Sequence, residues 1–246
     1  MDNKIGTALI VGVGWMISLC LHEFAHALVA YAGGDKSVKD KGYLTLNPLK
    51  YTDIGLTLII PLIILMIGGI ALPGAAVYID HSKLRNRFWN SFVSLAGPLA
   101  NVFVLIVIAM PFLLGMYSGQ DSYIWPSLAL LALFQAVAII LNLLPIPPMD
   151  GYGIIAPWLP SSLRTAANNF ARVGIWVLFI ALWYVKPLNM LLWGTAYDVM
   201  GYLEIPLDLI DQGQVLFHQQ SFLLIACIIG ALLIAKACKP KTQAQK

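Results

Sequence analysis

The sequence predicts an all-α fold of the polytopic type, in which several helices cross a membrane. Of the 246 residues, 59% are hydrophobic and only 11% are charged, whereas a soluble domain carries about 25% charged residues. Several apolar runs reach the roughly 20 residues that a helix needs to cross a hydrocarbon core about 30 Å thick. The net charge of +3 is small and lies in the loops between these runs, so it indicates membrane orientation rather than nucleic-acid binding.

We predict about five to six membrane segments in one chain. The first runs from Ile5 to Ala32, and the Gly33-Gly34 pair ends it. The second covers residues 54–79 and is interrupted by the Gly68-Gly69 pair. The others are predicted near 89–114, from 127 to the NLLPIPPMDG stretch, at 173–185 and at 215–235. In the polar linker after the first run, GYLTLN at 42–47 alternates between apolar and polar residues, which predicts a short extended segment.

The first run carries three ionisable side chains near its middle, in the pentapeptide HEFAH. His22 and His26 are four residues apart, so both imidazoles lie on one face of a helix and can bind one zinc ion. Glu23 follows His22 and can take a proton from water at such a metal. An accidental match, or histidines that only bond backbone carbonyls, is the alternative. Each ionisable group at bilayer depth costs about 2.5–3.5 kcal/mol, so a metal site is favoured.

A catalytic zinc usually has three protein ligands. Asp150 stands out because it follows a proline-rich stretch that ends the fourth apolar run, and Gly151 permits a tight turn directly after it. A turn aspartate at the membrane surface is the alternative interpretation. The candidates for the third ligand are Asp53, Asp80, His81, Asp150 and Asp198.

The ligands must meet at one depth, which favours parallel first and fourth runs. At about 1.5 Å per residue, antiparallel runs would leave His22 and Asp150 more than about 20 Å apart. Two full crossings between these runs would make them antiparallel. The basic stretches 36–50 and 81–87 also both read as cytoplasmic. A re-entrant hairpin at 54–79 resolves both problems.

The combination of HEFAH with NLLPIPPMDG resembles the site-2 protease family of intramembrane zinc metalloproteases. SLAGPLANVF at 94–103 resembles the AGP-containing span of that family. LTLNPLKYTDIGLTLIIPL at 44–62 resembles a compact subgroup without a PDZ or CBS domain. The resemblance covers about residues 15–160 and implies that His22, His26 and Asp150 hold zinc and that Glu23 is the catalytic base. Met149 stands where the family usually has leucine, a swap that conserves volume.

This resemblance implies a zinc metalloendopeptidase with one Zn²⁺ per chain, which hydrolyses peptide bonds within or near transmembrane segments of other membrane proteins. We expect one membrane-embedded domain over 1–246, with a catalytic core at about 5–160 and accessory spans at about 161–238. The expected partners are a transmembrane protein substrate and the lipid bilayer, with no nucleic acid. The oligomeric state is left open. The expected location is the inner membrane of a prokaryote, with multiple crossings and a cytoplasmic C-terminus.

Asn101 and Asn142 each lie in an apolar run and in a family-like motif. Either can hydrogen-bond neighbouring helices or donate to a substrate carbonyl near the zinc. The first role is favoured for Asn101, and the two are balanced for Asn142. A non-proteolytic metal-binding membrane protein or ion carrier is the alternative function. Such a carrier would spread ionisable groups over several runs, whereas here they concentrate at one point.

Overall fold

The structure is a computed structural model that describes residues 3–47, 77–117 and 122–219. Within these ranges the chain forms eight α-helices and no strand, so the predicted all-α fold is confirmed. Two short 3₁₀ turns, His81–Lys83 and Ala156–Trp158, connect helices. The helices are α1 Asn3–Gly33, α2 Ser37–Asp40, α3 Arg87–Leu113, α4 Ile124–Asn142, α5 Asp150–Ile155, α6 Ser161–Tyr184, α7 Lys186–Tyr202 and α8 Leu207–His218.

Three of the described helices, α1, α3 and α4, are long and apolar enough to cross a membrane. Helix α6 would make a fourth, although its two parts, Ser161–Ala171 and Trp176–Tyr184, are inclined to each other by 67°. A multi-pass helical membrane protein is therefore confirmed. Two of the predicted segments, 54–79 and 215–235, lie almost entirely outside the described residues.

Helix α4 is the centre of the bundle. Its most apolar window is 72% buried, against 44% for that of α1. A helix that is apolar on every side belongs in the interior. Helices α1 and α3 pack against α4, and α7 and α8 contact it as well.

Helices α1 and α4 run parallel, as the sequence predicted. The pairs that meet advance together along both helices: Gly6 with Tyr123, Gly14 with Leu131, and Ser18 with Gln135. Helix α3 runs the opposite way along α1, and its pairs are Gly33 with Trp89, His26 with Val93, and Ser18 with Asn101. The beginning of α3 therefore lies at the end of the bundle where α1 finishes.

Residues on both sides of 48–76 meet at this same end of the bundle. The backbone N–H of Arg85 donates to the carbonyl of Gly33 at 3.0 Å, and the N–H of Asp80 donates to Asp35 Oδ2 at 2.8 Å. The re-entrant hairpin predicted for 54–79 lies outside the described residues except for 77–79. The bonds from Arg85 to Gly33 and from Asp80 to Asp35 hold the segments 33–47 and 77–86 together.

The extended segment predicted near 42–47 is not a strand in the structure. Gly42 has a φ of 76°, and its N–H donates to Lys39 O at 2.9 Å while that of Tyr43 donates to Val38 O at 3.0 Å. These two bonds close the C-terminus of α2 in a Schellman motif. Residues 44–46 then form a bend. The alternating pattern was misleading because its first residues complete a helix end.

Cysteine labelling can test the shared position of these two basic stretches. With cysteine at Lys41 or Lys83, we expect labelling by a membrane-impermeant maleimide from the same side of the membrane. Cysteine at Met116, which follows the far end of α3, should be labelled from the other side. Opposite results for Lys41 and Lys83 would contradict the junction between Gly33 and Arg85.

The carboxylate of Asp35 stabilises this junction. It accepts hydrogen bonds from Ser37 Oγ at 2.6 Å, Ser37 N at 3.1 Å and Asp80 N at 2.8 Å. Burial works to raise the pKa of Asp35, but the bonds from Ser37 and Asp80 outweigh it and hold the pKa below its ordinary value. A lowered carboxyl pKa stabilises the fold above the ordinary pKa, and this stability is lost as the pH falls through the lowered pKa.

Replacing Asp35 should therefore destabilise the protein. We expect Asp35→Ala to lower the free energy of unfolding by about 2 kcal/mol, because several hydrogen bonds to a buried charged group are lost. Asp40→Ala, at an exposed residue of α2, should change it by less than about 0.5 kcal/mol. Thermal unfolding in detergent at neutral pH would compare them, and equal melting temperatures would refute this role.

Candidate metal centre

Helix α1 places three ionisable side chains inside the bundle. His22, Glu23 and His26 are 4%, 5% and 7% exposed, so none of them faces lipid. The Nε2 atoms of the two histidines lie 3.0 Å apart. The spacing of four residues thus brings both imidazoles to one point, as the sequence predicted.

Asp150, the first residue of α5, completes the group. Its Oδ2 lies 3.2 Å from His22 Nε2 and its Oδ1 lies 3.4 Å from His26 Nε2. Among the described residues, this is the one group of three or more such side chains close enough to hold a metal. Asp80 and Asp198 are not part of it, and Asp53 is outside the described residues.

The chain reaches this position by a sharp reversal after α4. A side chain at Gly151 would collide with the carbonyl oxygens of Leu143 and Leu144. Glycine therefore allows α5 to begin directly against the end of α4. The prolines of the PIPP stretch prevent α4 from continuing, so Asp150 turns back towards α1.

The separations within the group fit a zinc ion. Zinc binds nitrogen and oxygen ligands tetrahedrally at about 2.0–2.2 Å, which places neighbouring ligand atoms about 3.3 Å apart. Here the two Nε2 atoms lie 3.0 Å apart, and each lies 3.2 or 3.4 Å from its nearer Asp150 oxygen, Oδ2 for His22 and Oδ1 for His26. Two imidazole nitrogens and one carboxylate oxygen are also the donor types that zinc prefers, with a fourth position left for water.

Hydrogen bonding orients one of the two imidazoles for this role. His26 Nδ1 lies 2.6 Å from the carbonyl oxygen of Val93, which can only accept, so Nδ1 carries the proton. The Nε2 lone pair of His26 is then free and points into the group. Such a bond from the far nitrogen of a ligand histidine to a carbonyl is usual in metal sites.

Gly97 on α3 makes room for both imidazole rings. A Cβ at this position would collide with Nε2 of His26 and lie about 2.5 Å from that of His22. Gly97 belongs to the AGP-containing stretch, whose sequence alone predicts no contact with the histidines. Nothing in the α1 sequence indicates which residue of another helix faces the histidines.

Glu23 lies beside this group rather than in it. The backbone N–H of Val77 approaches the Glu23 carboxylate. Both residues line the same cavity as His22 and His26, which has a volume of about 960 Å³. Val77 is a second residue that the sequence analysis missed, because its contribution is a backbone group that no side-chain pattern reveals.

The two asparagines lie in different surroundings. Asn142 is buried and lines the cavity with the histidines. Asn101 is buried away from the cavity, beside Ser18 Oγ at 3.4 Å, and Ser18 Oγ donates to Gln135 Oε1 at 2.6 Å. The contacts of Ser18 with Asn101 and Gln135 join α1, α3 and α4. They correspond to the interhelical role that the sequence favours for Asn101.

A metal site of the HExxH type inside a bundle of membrane-spanning helices defines the class of intramembrane metalloproteases. Comparison with known proteins agrees. The chain is 41% identical over 180 residues to a protein of Mycolicibacterium smegmatis named as zinc metalloprotease Rip2, covering 73% of this chain and 69% of that protein. It is 39% identical over 215 residues to Rip2 of Mycobacterium tuberculosis, covering 86% and 80%.

A zinc metalloprotease of Bacillus subtilis, YwhC, is 33% identical over 191 residues, which cover 72% of this chain and 81% of that protein. No family profile matches the chain, and no solved structure matches it. The chain belongs to the site-2 protease family of intramembrane zinc metalloproteases. Its activity is therefore zinc-dependent hydrolysis of peptide bonds in membrane proteins.

Substituting Gly97 by alanine should weaken zinc binding, because the new methyl group displaces the imidazoles. We expect a loss of affinity of about 10- to 100-fold, the range found when groups that orient metal ligands are altered. Gly194→Ala is the matched control, since nothing lies within 4 Å of a Cβ there. This control should bind zinc like the wild type, and its free energy of unfolding should rise by up to about 1 kcal/mol. Competition with a chromogenic chelator measures the zinc affinity of the two variants, and equal affinities would contradict the packing of Gly97 against the imidazoles.

Proposed function

We propose that His22, His26 and Asp150 hold the zinc ion and that Glu23 is the catalytic base. The observation that carries this proposal is the close approach of the two Nε2 atoms, 3.0 Å apart, to the two carboxylate oxygens of Asp150 at 3.2 and 3.4 Å, beside the buried carboxylate of Glu23. When bound, zinc supplies a Lewis acid that acidifies water and polarises a peptide carbonyl. The residues around it bind, orient and move protons.

Glu23 takes a proton from the attacking water and returns it to the leaving amine. The water oxygen forms the new bond to the carbonyl carbon, and the C–N bond breaks. The nearby N–H of Val77 orients this carboxylate. The amide of Asn142 donates to the carbonyl oxygen as negative charge develops there, and its position in the lining of the same cavity supports this role.

The substrate is the transmembrane segment of another protein, as membership of the family implies. A helix hides its amides in hydrogen bonds, so the segment must unwind locally before it can be cut. The cavity opens at the end of the bundle that holds His81, Ser82 and Asn86. We infer that water reaches the metal from this polar end.

We propose that this end faces the cytoplasm of a prokaryotic cell and that the protein lies in the inner membrane. The Lys/Arg-rich stretches 36–50 and 81–87 support this orientation, and the relatives come from bacteria. Lys236, Lys239 and Lys241 support a cytoplasmic C-terminus. All proposed site residues fall within about 5–160, which supports a catalytic core there and accessory spans at about 161–238.

An ion carrier is less well supported by the interior of the bundle. The ionisable side chains buried within the described long helices are His22, Glu23 and His26. The other buried polar residues of these helices are neutral, so the described bundle contains no row of titratable groups through which an ion could pass.

The role of Glu23 can be tested without disturbing the metal. Glu23→Gln should reduce cleavage of a membrane-protein substrate by about 10³-fold, since a general acid–base group contributes about 10²–10⁴-fold, and should keep zinc at one equivalent. Cleavage by purified protein and metal analysis by mass spectrometry would be measured together. Undiminished turnover would exclude Glu23 as the base.

A substitution of Asp150 should instead act on zinc binding, with the loss of activity following from the loss of the metal. Loss of a direct ligand should weaken zinc binding by more than about 100-fold, because outer partners of ligands alone are worth about 10- to 100-fold. We expect this for Asp150→Asn, with activity restored in part by excess zinc. Asp198→Asn, at an exposed aspartate of α7, should match the wild type. Full zinc affinity in the Asp150 variant would refute its assignment.

A further inference from the structure

Two basic side chains lie at the mouth of the catalytic cavity. Among the described residues that line it, the acidic ones are Glu23 and Asp150, both at the metal centre. Arg87 and Arg164 line the same cavity near its polar end. We propose that these two arginines form a subsite that binds a carboxylate side chain of the substrate, in the polar segment beside the scissile bond. This inference rests on the proposed proteolytic function.

Arg87 has an aromatic neighbour and, among the described residues, no acidic partner. Its guanidinium lies 5.3 Å from the ring centre of Trp158. The indole N–H of Trp158 donates to Ser91 Oγ at 2.9 Å, and Ser91 Oγ donates to the carbonyl of Ile154 at 2.6 Å. A cation–π contact of this kind leaves the N–H donors of the guanidinium available for a planar, bidentate partner.

Arg164 is anchored to the helix that carries the metal ligand Asp150. The hydroxyl of Tyr152, two residues after Asp150, lies 3.3 Å from the carbonyl of Arg164 and 3.0 Å from Asn168 Oδ1. Asn168 also lines the cavity. Because its oxygen accepts from Tyr152, its amide nitrogen is left as a donor. These bonds tie the backbone at Arg164 to the helix of Asp150, and the mouth carries the donors of Asn168 and of both arginines.

Neither arginine forms a salt bridge with an acid in the described parts of the chain. A pair of unneutralised arginines favours an anionic ligand. Because both line the cavity that holds the metal group, the ligand we infer is the peptide being cut and not a lipid headgroup. A headgroup phosphate would meet basic residues on the outside of the bundle instead.

Arg85 is a matched control for Arg87. It lies two residues before Arg87, is likewise exposed to solvent, and its guanidinium lies 5.4 Å from the ring centre of Trp89. It does not line the cavity. The positive-inside tendency explains Arg85 and Arg87 equally well, whereas a substrate subsite in the cavity would involve Arg87 and not Arg85.

The test uses purified full-length protein in neutral detergent with phosphatidylcholine, so that no anionic lipid is present. The probe is a fluorescent single-pass peptide with a Gly-Pro pair within its apolar segment and either three Glu or three Gln in its polar flank. We expect the Glu peptide to be cleaved with a kcat/KM about fivefold higher, through a lower KM, as for a partly solvated charged hydrogen bond. Arg87→Gln and Arg164→Gln should each remove this preference, and Arg85→Gln should keep it.

Binding of both peptides to the Glu23→Gln protein, followed by fluorescence anisotropy, separates the subsite from the chemistry. A preference for the Glu peptide in binding, without cleavage by the wild type, would overturn the proposed function and support the subsite. Equal affinity for the two peptides, or loss of preference in Arg85→Gln to the same extent as in Arg87→Gln, would overturn the subsite. A preference that occurs only when anionic vesicles replace phosphatidylcholine would assign the arginines to lipid headgroups and also overturn it.

Discussion

The rest of the structure depends on removing three ionisable side chains of α1 from contact with lipid. Each would cost about 2.5–3.5 kcal/mol if it were exposed at bilayer depth, and all three are more than nine-tenths buried. Their burial requires a neighbouring helix at close range, which α3 provides at Gly97. It also requires polar partners, and these are Asp150, the Val93 carbonyl and the Val77 N–H. Helix α3, helix α5 and the segment that begins at Val77 therefore each lie where they supply space or a polar group to these side chains.

The direction of the helices follows from the same requirement. The histidines lie in the second half of α1 and Asp150 follows the end of α4, so the two helices can bring their ligands to one depth only if they run parallel. Ser18 lies one turn before His22 and bonds Gln135 of α4 at 2.6 Å. An isolated polar contact of this kind has few alternative partners in an apolar interior, so it fixes the register of the two helices. Register in turn sets the distance that the proline-rich turn must cover.

The sequence predicted α1, α3 and α4 to within a few residues, because hydropathy and helix-ending glycines and prolines are local properties, whereas α6 begins at Ser161, well before the predicted residue 173. Spacing predicted His22 and His26 as neighbours, and the family resemblance singled out Asp150 among five candidates for the third ligand. Gly97, Val93 and Val77 were not predicted, since each acts through an absent side chain or a backbone group whose position depends on the packing of separate helices. The extended segment at 42–47 was wrong for a related reason. Alternation is a weak signal over six residues, and the Schellman bonds of Gly42 and Tyr43 outweigh it.

The catalytic base is connected to the polar end of the bundle through a short stretch of chain. Asp35 binds the N–H of Asp80, and Lys41 Nζ donates to the carbonyl of Tyr78 at 3.1 Å. The N–H of Val77, the residue before Tyr78, approaches the carboxylate of Glu23. Residues 77–80 are not part of a helix or strand, so these side-chain bonds, rather than a backbone ladder, hold them in place. The surroundings of Glu23 inside the membrane therefore depend on two charged groups, Asp35 and Lys41, at the polar end of the bundle. A substrate must pass this end to reach the metal.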